Sequence, residues 1–231
     1  MMINVYLAHK TGFWFISLTM TIVLCAAHYS IFVKRQVKPG SSAKELITRF
    51  NFKEVIFHWL RIIMFFILFF TGIEMLYKSE AHLGPHHGFI GVAFLIIAII
   101  NLALWRRDVA FRSYDWIWIK SCGGYLSTRS MHLPAGRFNA GQKIYYWLML
   151  IAAIALFITA TAMEQGAHHT LAGRQNIAWG LHGLIGCFST IMVIGHIYLS
   201  ILANPETARV VIDGKISRDY IDEHHSQWLN L

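Results

Sequence analysis

Leu181-His182-Gly183-Leu184-Ile185-Gly186-Cys187-Phe188-Ser189-Thr190-Ile191-Met192-Val193-Ile194-Gly195-His196-Ile197-Tyr198 is an apolar stretch without a single Asp, Glu, Lys or Arg, and it carries a histidine near each end. The run to which it belongs, 177–203, has the length and composition of a membrane span, which needs about 20 predominantly apolar residues. On a helix rising 1.5 Å per residue, His182 and His196 lie about 21 Å apart along the axis, and fourteen steps of about 100° bring them within about 40° of each other. One span therefore offers two imidazoles on nearly the same face, one toward each side of the bilayer. Ionisable groups at such depth are costly, and their default reading is functional.

Working outward, four more runs qualify as spans: 12–33, 56–77, 88–105 and 144–163. The chain of 231 residues is 56% hydrophobic and only 14% charged, a balance that suits lipid as the main solvent. The first run lacks an Ala-x-Ala-like cleavage site and is followed directly by Lys34 and Arg35, so it reads as a retained helix. Segments 34–55, 106–143 and 204–231 hold sixteen of the twenty lysines and arginines. By the positive-inside rule these segments are cytoplasmic, which puts the N-terminus outside and the C-terminus inside. The expected fold is an all-α membrane protein, a bundle of five transmembrane helices. The net charge of +8 is topological, and it gives no reason to expect nucleic acid. Within 106–143, the stretch Asp115-Trp116-Ile117-Trp118-Ile119-Lys120 is expected to lie along the headgroup region. Pro39-Gly40-Ser41-Ser42 reads as a turn and Asn204-Pro205 as the end of the last helix. Cys25, Cys122 and Cys187 are scattered, with no CxxC or CxxCH, so neither covalently attached haem nor a cysteine-held cluster is expected.

The thirteen histidines sort by depth. His9, His82, His132, His168, His169, His224 and His225 fall in loops or tails, where solvated surface is the default. His28 is alone in the first span and reads as a hydrogen-bonded interhelical histidine. The rest can pair. Haem iron accepts axial imidazoles, and the porphyrin supplies apolar surface around them. His58, at the cytoplasmic start of the second span, matches the depth of His196, and His87, at the outer start of the third, matches His182. His86 is the rival of His87, because one residue of rotation turns a side chain by about 100°. Two haem b groups follow, ligated through the iron by His58, His196, His87 and His182. Arg61, one turn from His58, either pairs with a haem propionate or snorkels to the headgroups. Gly88, Gly91, Gly183, Gly186 and Gly195 provide room either for a macrocycle or for close helix packing.

Three stretches resemble one family, the cytochrome b (gamma) subunits of membrane-bound formate dehydrogenase. Phe57-His58-Trp59 with Thr71-Gly72 is similar to its first ligand helix. Gly136-Arg137-Phe138-Asn139-Ala140-Gly141-Gln142-Lys143 is similar to the turn that opens a transmembrane helix from the cytoplasm. His182 through Gly195-His196-Ile197-Tyr198 is similar to the helix bearing two ligands. The tail Asp213-Gly214-Lys215-Ile216-Ser217-Arg218 with His224-His225 also matches, and the resemblance covers residues 52–231. It implies a dihaem four-helix core over 52–231, preceded over 1–51 by an extra helix and a cytoplasmic linker. It further implies a prokaryotic inner membrane location, with an iron–sulfur subunit and an extracytoplasmic molybdenum or tungsten catalytic subunit as partners. The outer haem takes His87 and His182 and the inner haem His58 and His196. A quinone, menaquinone or ubiquinone, binds by Asn139, Gly141, Gln142 and Lys143 and is reduced near the cytoplasmic face. The extra helix has no counterpart in compact members and is a candidate for contact with a partner or with lipid. Related dihaem anchors of thiosulfate or polysulfide reductases, hydrogenases or multihaem c-type cytochromes use the same haems. A transporter or channel with ion-binding histidines is the alternative from another class, and it would be colourless when purified.

Overall fold

A computed structural model describes residues 2–35, 45–78, 84–129, 131–168 and 172–229. The turn expected at 39–42, and His82 and His169, lie outside the described residues. Five helices are long and apolar enough to cross a membrane. They are α1 (Met2–Ile31), α2 (Phe52–Lys78), α3 (Gly84–Trp105), α5 (Ala140–His168) and α6 (Ala172–Tyr198). Shorter elements are β1 (Leu46–Thr48), α4 (Asp115–Lys120), α7 (Glu206–Asp213), β2 (Lys215–Ser217) and α8 (Arg218–His224). The helices outrun the expected spans because their polar ends continue the backbone ladder beyond the apolar window. The clearest case is α1, which begins ten residues before the expected position and passes through His9 with a local break at φ −121°, ψ 18°. The last span continues past Tyr198 as a π turn, Leu199–Ala203, and stops at Asn204 as expected.

Two helix starts are built alike. Asn51 Oδ1 accepts from the Glu54 amide at 3.1 Å while Glu54 Oε2 accepts from the Asn51 amide at 2.8 Å. Before α5, Asn139 Oδ1 accepts from the Gln142 amide at 2.9 Å and Gln142 Oε1 from the Asn139 amide at 3.1 Å. These reciprocal capping boxes satisfy amides that the first helical turn leaves without partners.

The residues fall into two compact units. The first comprises Met1–Thr21, Leu60–Ile100 and Leu148–Ile194. Its α1 portion packs on α6 through Tyr6 and Trp14, which are joined by a 3.0 Å hydrogen bond and buried with Cys187. Phe69, Ile73 and Leu184 complete the cluster. A side chain on Gly183 would overlap the Tyr6 hydroxyl, and one on Gly186 would meet Trp14 at 3.7 Å. These two glycines are therefore helix-packing residues, as small-residue stripes in membranes generally are. Around Gly88, by contrast, nothing lies within 4 Å.

The second unit comprises Ile22–Trp59, Asn101–Trp147 and Gly195–Leu231. Trp105, Phe50 and Phe138 cluster with centroids 5.3–5.8 Å apart, Phe50 stacked on Trp105 and Phe138 set edge-on to Trp105. His28 bonds the Tyr198 hydroxyl at 2.5 Å and the Tyr125 carbonyl at 2.8 Å, the interhelical role its isolation implies. On α4, Trp116 and Ile117 are exposed while Asp115 is buried, a division that suits a helix lying at an interface. The stretch that reads as a linker before 52 is tied to the tail. β1 pairs antiparallel with β2, Leu46 opposite Ser217 and Thr48 opposite Lys215. The carbonyl of Gly214, at φ +74°, accepts from the amides of Arg49 and Phe50.

The tail corrects one expectation. His225 is not solvated; it is 1% exposed, and its Nδ1 donates to the Gly136 carbonyl at 2.7 Å. Burial, with the nearby Arg49 charge adding to it, holds its pKa well below 6.5. The folded tail keeps the imidazole neutral, whereas the unfolded chain protonates it below about pH 6.5. Stability is therefore full above that pH and falls as the medium is acidified, by up to about 1.4 kcal/mol per pH unit. Thermal melts in detergent between pH 7.5 and 5 should show this slope, and His225→Leu should flatten it; an unchanged slope in the variant would contradict the assignment.

Candidate functional site

In the first unit, His87 in the first turn of α3 faces His182 of α6 with ring centres 6.2 Å apart and planes at 58°. His86 is exposed and takes no part in this pairing. Each ring is held from behind by a threonine: Thr71 Oγ lies 2.8 Å from His87 Nδ1, and Thr159 Oγ lies 2.9 Å from His182 Nδ1. Neither threonine was assigned a role from sequence, where a Thr in an apolar helix looks like any other small residue. Gly72 of α2 lies close to the site, where a Cβ would meet His87 Cε1 at 3.4 Å, an ordinary contact distance.

In the second unit, His58 of α2 and His196 of α6 stand with ring centres 6.5 Å apart and planes at 49°. Tyr145 of α5 stacks on His196 at 4.4 Å and 8°, a contact that sequence could not reveal because it depends on the rotation of α5. Around Gly195 nothing lies within 4 Å. Arg61 is half-buried, three residues beyond His58 on α2.

Both spacings can be tested against a metal. A metal–imidazole bond of about 2.0–2.1 Å, plus about 1.2 Å from nitrogen to ring centre, sets two axial ring centres about 6.4 Å apart. The two pairs, at 6.2 and 6.5 Å, fit an iron between imidazoles.

The turn before α5 divides its labour. Asn139 and Gln142 use their side-chain oxygens in the capping box, and Gln142 Oε1 also receives Arg49 Nη2 at 3.1 Å. Among the described residues, no protein acceptor takes the Asn139 Nδ2 donor. At Gly141 any side chain would overlap the Trp118 ring, so this glycine seats α4. Lys143 is 1% exposed, and its Nζ pairs with Asp115 Oδ2 at 2.7 Å. Gly141, Gln142 and Lys143 thus help to hold the turn, and the side-chain amide donors of Asn139 and Gln142 take no protein acceptor among the described residues.

A second ionic group backs this turn. Arg137 binds Glu54 and Asp108, each at 2.8 Å, and donates to the Arg49 carbonyl, while Trp105 Nε1 donates to Glu54 at 2.5 Å. Burial pulls the Arg49 guanidinium down to about 10, opposed by Tyr220 and reinforced by Arg137, so it stays charged at neutral pH. Beside Lys143 a pocket of about 440 Å³ opens between Arg107, Arg112, Arg137 and Trp228.

With this geometry established, comparison with known proteins is informative. The model of the family described as prokaryotic cytochrome b561 matches residues 49–214. The chain belongs to that family. Membership implies haem b and makes this a multi-pass membrane cytochrome b with an electron-transfer role. The cytochrome b556 subunit of formate dehydrogenase from Haemophilus influenzae is 26% identical over 187 residues, covering 74% of this chain and 77% of the relative. The cytochrome b556(Fdn) subunit of the nitrate-inducible formate dehydrogenase of Escherichia coli is 21% identical over 200 residues, covering 81% and 92%. The cytochrome b556(Fdo) subunit of the same organism is 22% identical over 198 residues, covering 80% and 92%.

The Lys143–Asp115 pair yields a stability prediction. Lys143→Met strands a buried carboxylate and should cost about 3–5 kcal/mol, whereas Lys143→Met combined with Asp115→Leu should cost much less. Thermal unfolding in detergent measures both; equal losses in the single and double variants would show that the pair is not the source of the effect.

Proposed function

We propose that this cytochrome b is the membrane subunit of a formate dehydrogenase complex, carrying electrons through two haem b groups to a quinone reduced at the cytoplasmic face. The observation that carries the reading is the pair of imidazole couples, each at the spacing of a bis-histidine iron and both reached from the single helix α6. His87 and His182 hold the haem nearer the outside, and His58 and His196 the one nearer the cytoplasm. The haems, when bound, supply one-electron carriers. The similarity to cytochrome b556 subunits of formate dehydrogenases supports an iron–sulfur subunit and a molybdenum or tungsten catalytic subunit as partners.

The protein's own residues do the rest. Asn139, free to donate through Nδ2, binds and orients a carbonyl of menaquinone or ubiquinone. The capping box and the Lys143–Asp115 pair fix the turn that presents it. Tyr145 holds the His196 ring in one rotation. Arg61 is placed to neutralise a propionate. With the basic segments cytoplasmic, the N-terminus lies outside, and each two-electron reduction of the quinone draws two protons from the cytoplasm.

Charge is therefore separated across the bilayer, and each electron moved against 100 mV costs about 2.3 kcal/mol. Sealed vesicles containing the native complex should build a membrane potential when given formate and quinone. Asn139→Leu should abolish quinol formation while formate still reduces both haems, since the change removes a hydrogen bond and no iron ligand. Turnover without a potential, or full quinone reduction by the Asn139 variant, would overturn the cytoplasmic quinone site. Failure of formate to reduce the haems in the native complex would overturn the donor.

A further inference from the structure

We infer that Thr71 and Thr159 are positioning residues that lock His87 and His182 in the Nδ1–H tautomer and lower the reduction potential of the haem between them. The inference rests on the bis-histidine reading above and adds residues to it.

The direction of the hydrogen bonds decides the matter. A threonine hydroxyl has one proton and two lone pairs. Thr71 directs its proton back along α2, to the Ile67 carbonyl at 2.7 Å. Thr159 does the same along α5, to the Ala155 carbonyl at 2.9 Å. With the proton used, each hydroxyl oxygen can only accept from the imidazole nitrogen at 2.8 or 2.9 Å. Both histidines therefore carry their proton on Nδ1 and keep a bare lone pair on Nε2, in rings whose centres lie 6.2 Å apart. The opposite assignment would leave two oxygens and a nitrogen crowded together without a hydrogen for one of the contacts.

Two features set this apart from ordinary back-bonding of a threonine in an apolar helix, which satisfies the hydroxyl and nothing more. The arrangement of carbonyl, hydroxyl and imidazole occurs twice, once on each side of the same ring pair. It also crosses between helices both times, tying α3 to α2 and α6 to α5. A hydroxyl already donating to a carbonyl is a better acceptor, because hydrogen bonds in a chain polarise one another. An imidazole that donates through its second nitrogen is in turn a more basic ligand. A more basic axial ligand favours ferric over ferrous iron, so the hydroxyls hold the potential down.

The test uses the purified holoprotein with redox titration of the haem absorbance. His182→Ala first identifies which of the two transitions belongs to this pair. In Thr71→Val and Thr159→Val, both haems should be retained and that transition alone should move to more positive potential. The expected loss of ferric preference is about three- to tenfold per threonine, where tenfold corresponds to 59 mV for a one-electron couple. Thr71→Ser and Thr159→Ser keep the hydroxyl and should titrate as the native protein does, even where the valine variant binds haem poorly. Unchanged potentials in the valine variants, equal shifts of both transitions, or haem loss in the serine as well as the valine variants would overturn the proposal. If His182→Ala removes no haem, the ligand assignment itself fails, which is a separate and recognisable result.

Discussion

An imidazole inside an apolar helix bundle has two ring nitrogens to satisfy and no water to satisfy them, and leaving a polar group unpaired there costs several kcal/mol. For His87 and His182 the protein meets half of this demand with threonine hydroxyls on Nδ1. The other ring nitrogens are the ones that the proposed iron would satisfy, between rings whose centres stand 6.2 Å apart. The helix arrangement follows from that requirement. Two helices bring histidines to a common level, and two more bring hydroxyls behind them, with Gly72 of α2 close against His87. An ordinary hydrophobic core would tolerate sliding of one helix past another by a fraction of a turn. Here such a slide would part His87 and His182 from their threonine hydroxyls and from each other.

Glycine serves two ends on α6. Gly183 admits Tyr6 of the first helix and Gly186 lies against its Trp14, which packs the Met1–Thr21 portion into the first unit. Gly195 faces open space beside His196. In the second unit, polar chemistry ties the segments together. Capping boxes at Asn51 and Asn139, the Arg137 ion pairs and the clasp of β1 on β2 hold the segments between spans. The Asn139 turn is held by its capping box, by Arg49 on Gln142 Oε1 and by the Lys143–Asp115 pair, which gives the Asn139 amide donor a defined direction.

The spans and the histidine pairs were legible in the sequence because both rest on helical periodicity and apolar run length, which are local properties. His182 and His196 share a face by arithmetic, and depth alone matched them to His87 and His58. The role of His28 followed from its isolation. What was not legible depends on side chains meeting across distant segments. Three-residue strands such as Leu46–Thr48 leave too short a pattern to read, and His225 looks solvated until the Gly136 carbonyl is placed against it. The choice between His86 and His87 needed the rotation of α3. The engagement of Gln142 Oε1 by Arg49 and of Lys143 by Asp115 was equally hidden, because those partners lie far away in sequence. Thr71 stood out only as part of a family resemblance and Thr159 not at all, since a hydroxyl in a span is satisfied by its own helix whether or not a histidine waits behind it.

The account stands or falls on two imidazole pairs each holding an iron. The most direct measurement is the haem content of the purified chain by pyridine haemochrome, read together with the electron paramagnetic resonance of the oxidised protein. Two non-covalent b haems per chain, both low-spin with bis-imidazole signals, are predicted. One haem or none, or a high-spin iron with a single histidine ligand, would contradict it.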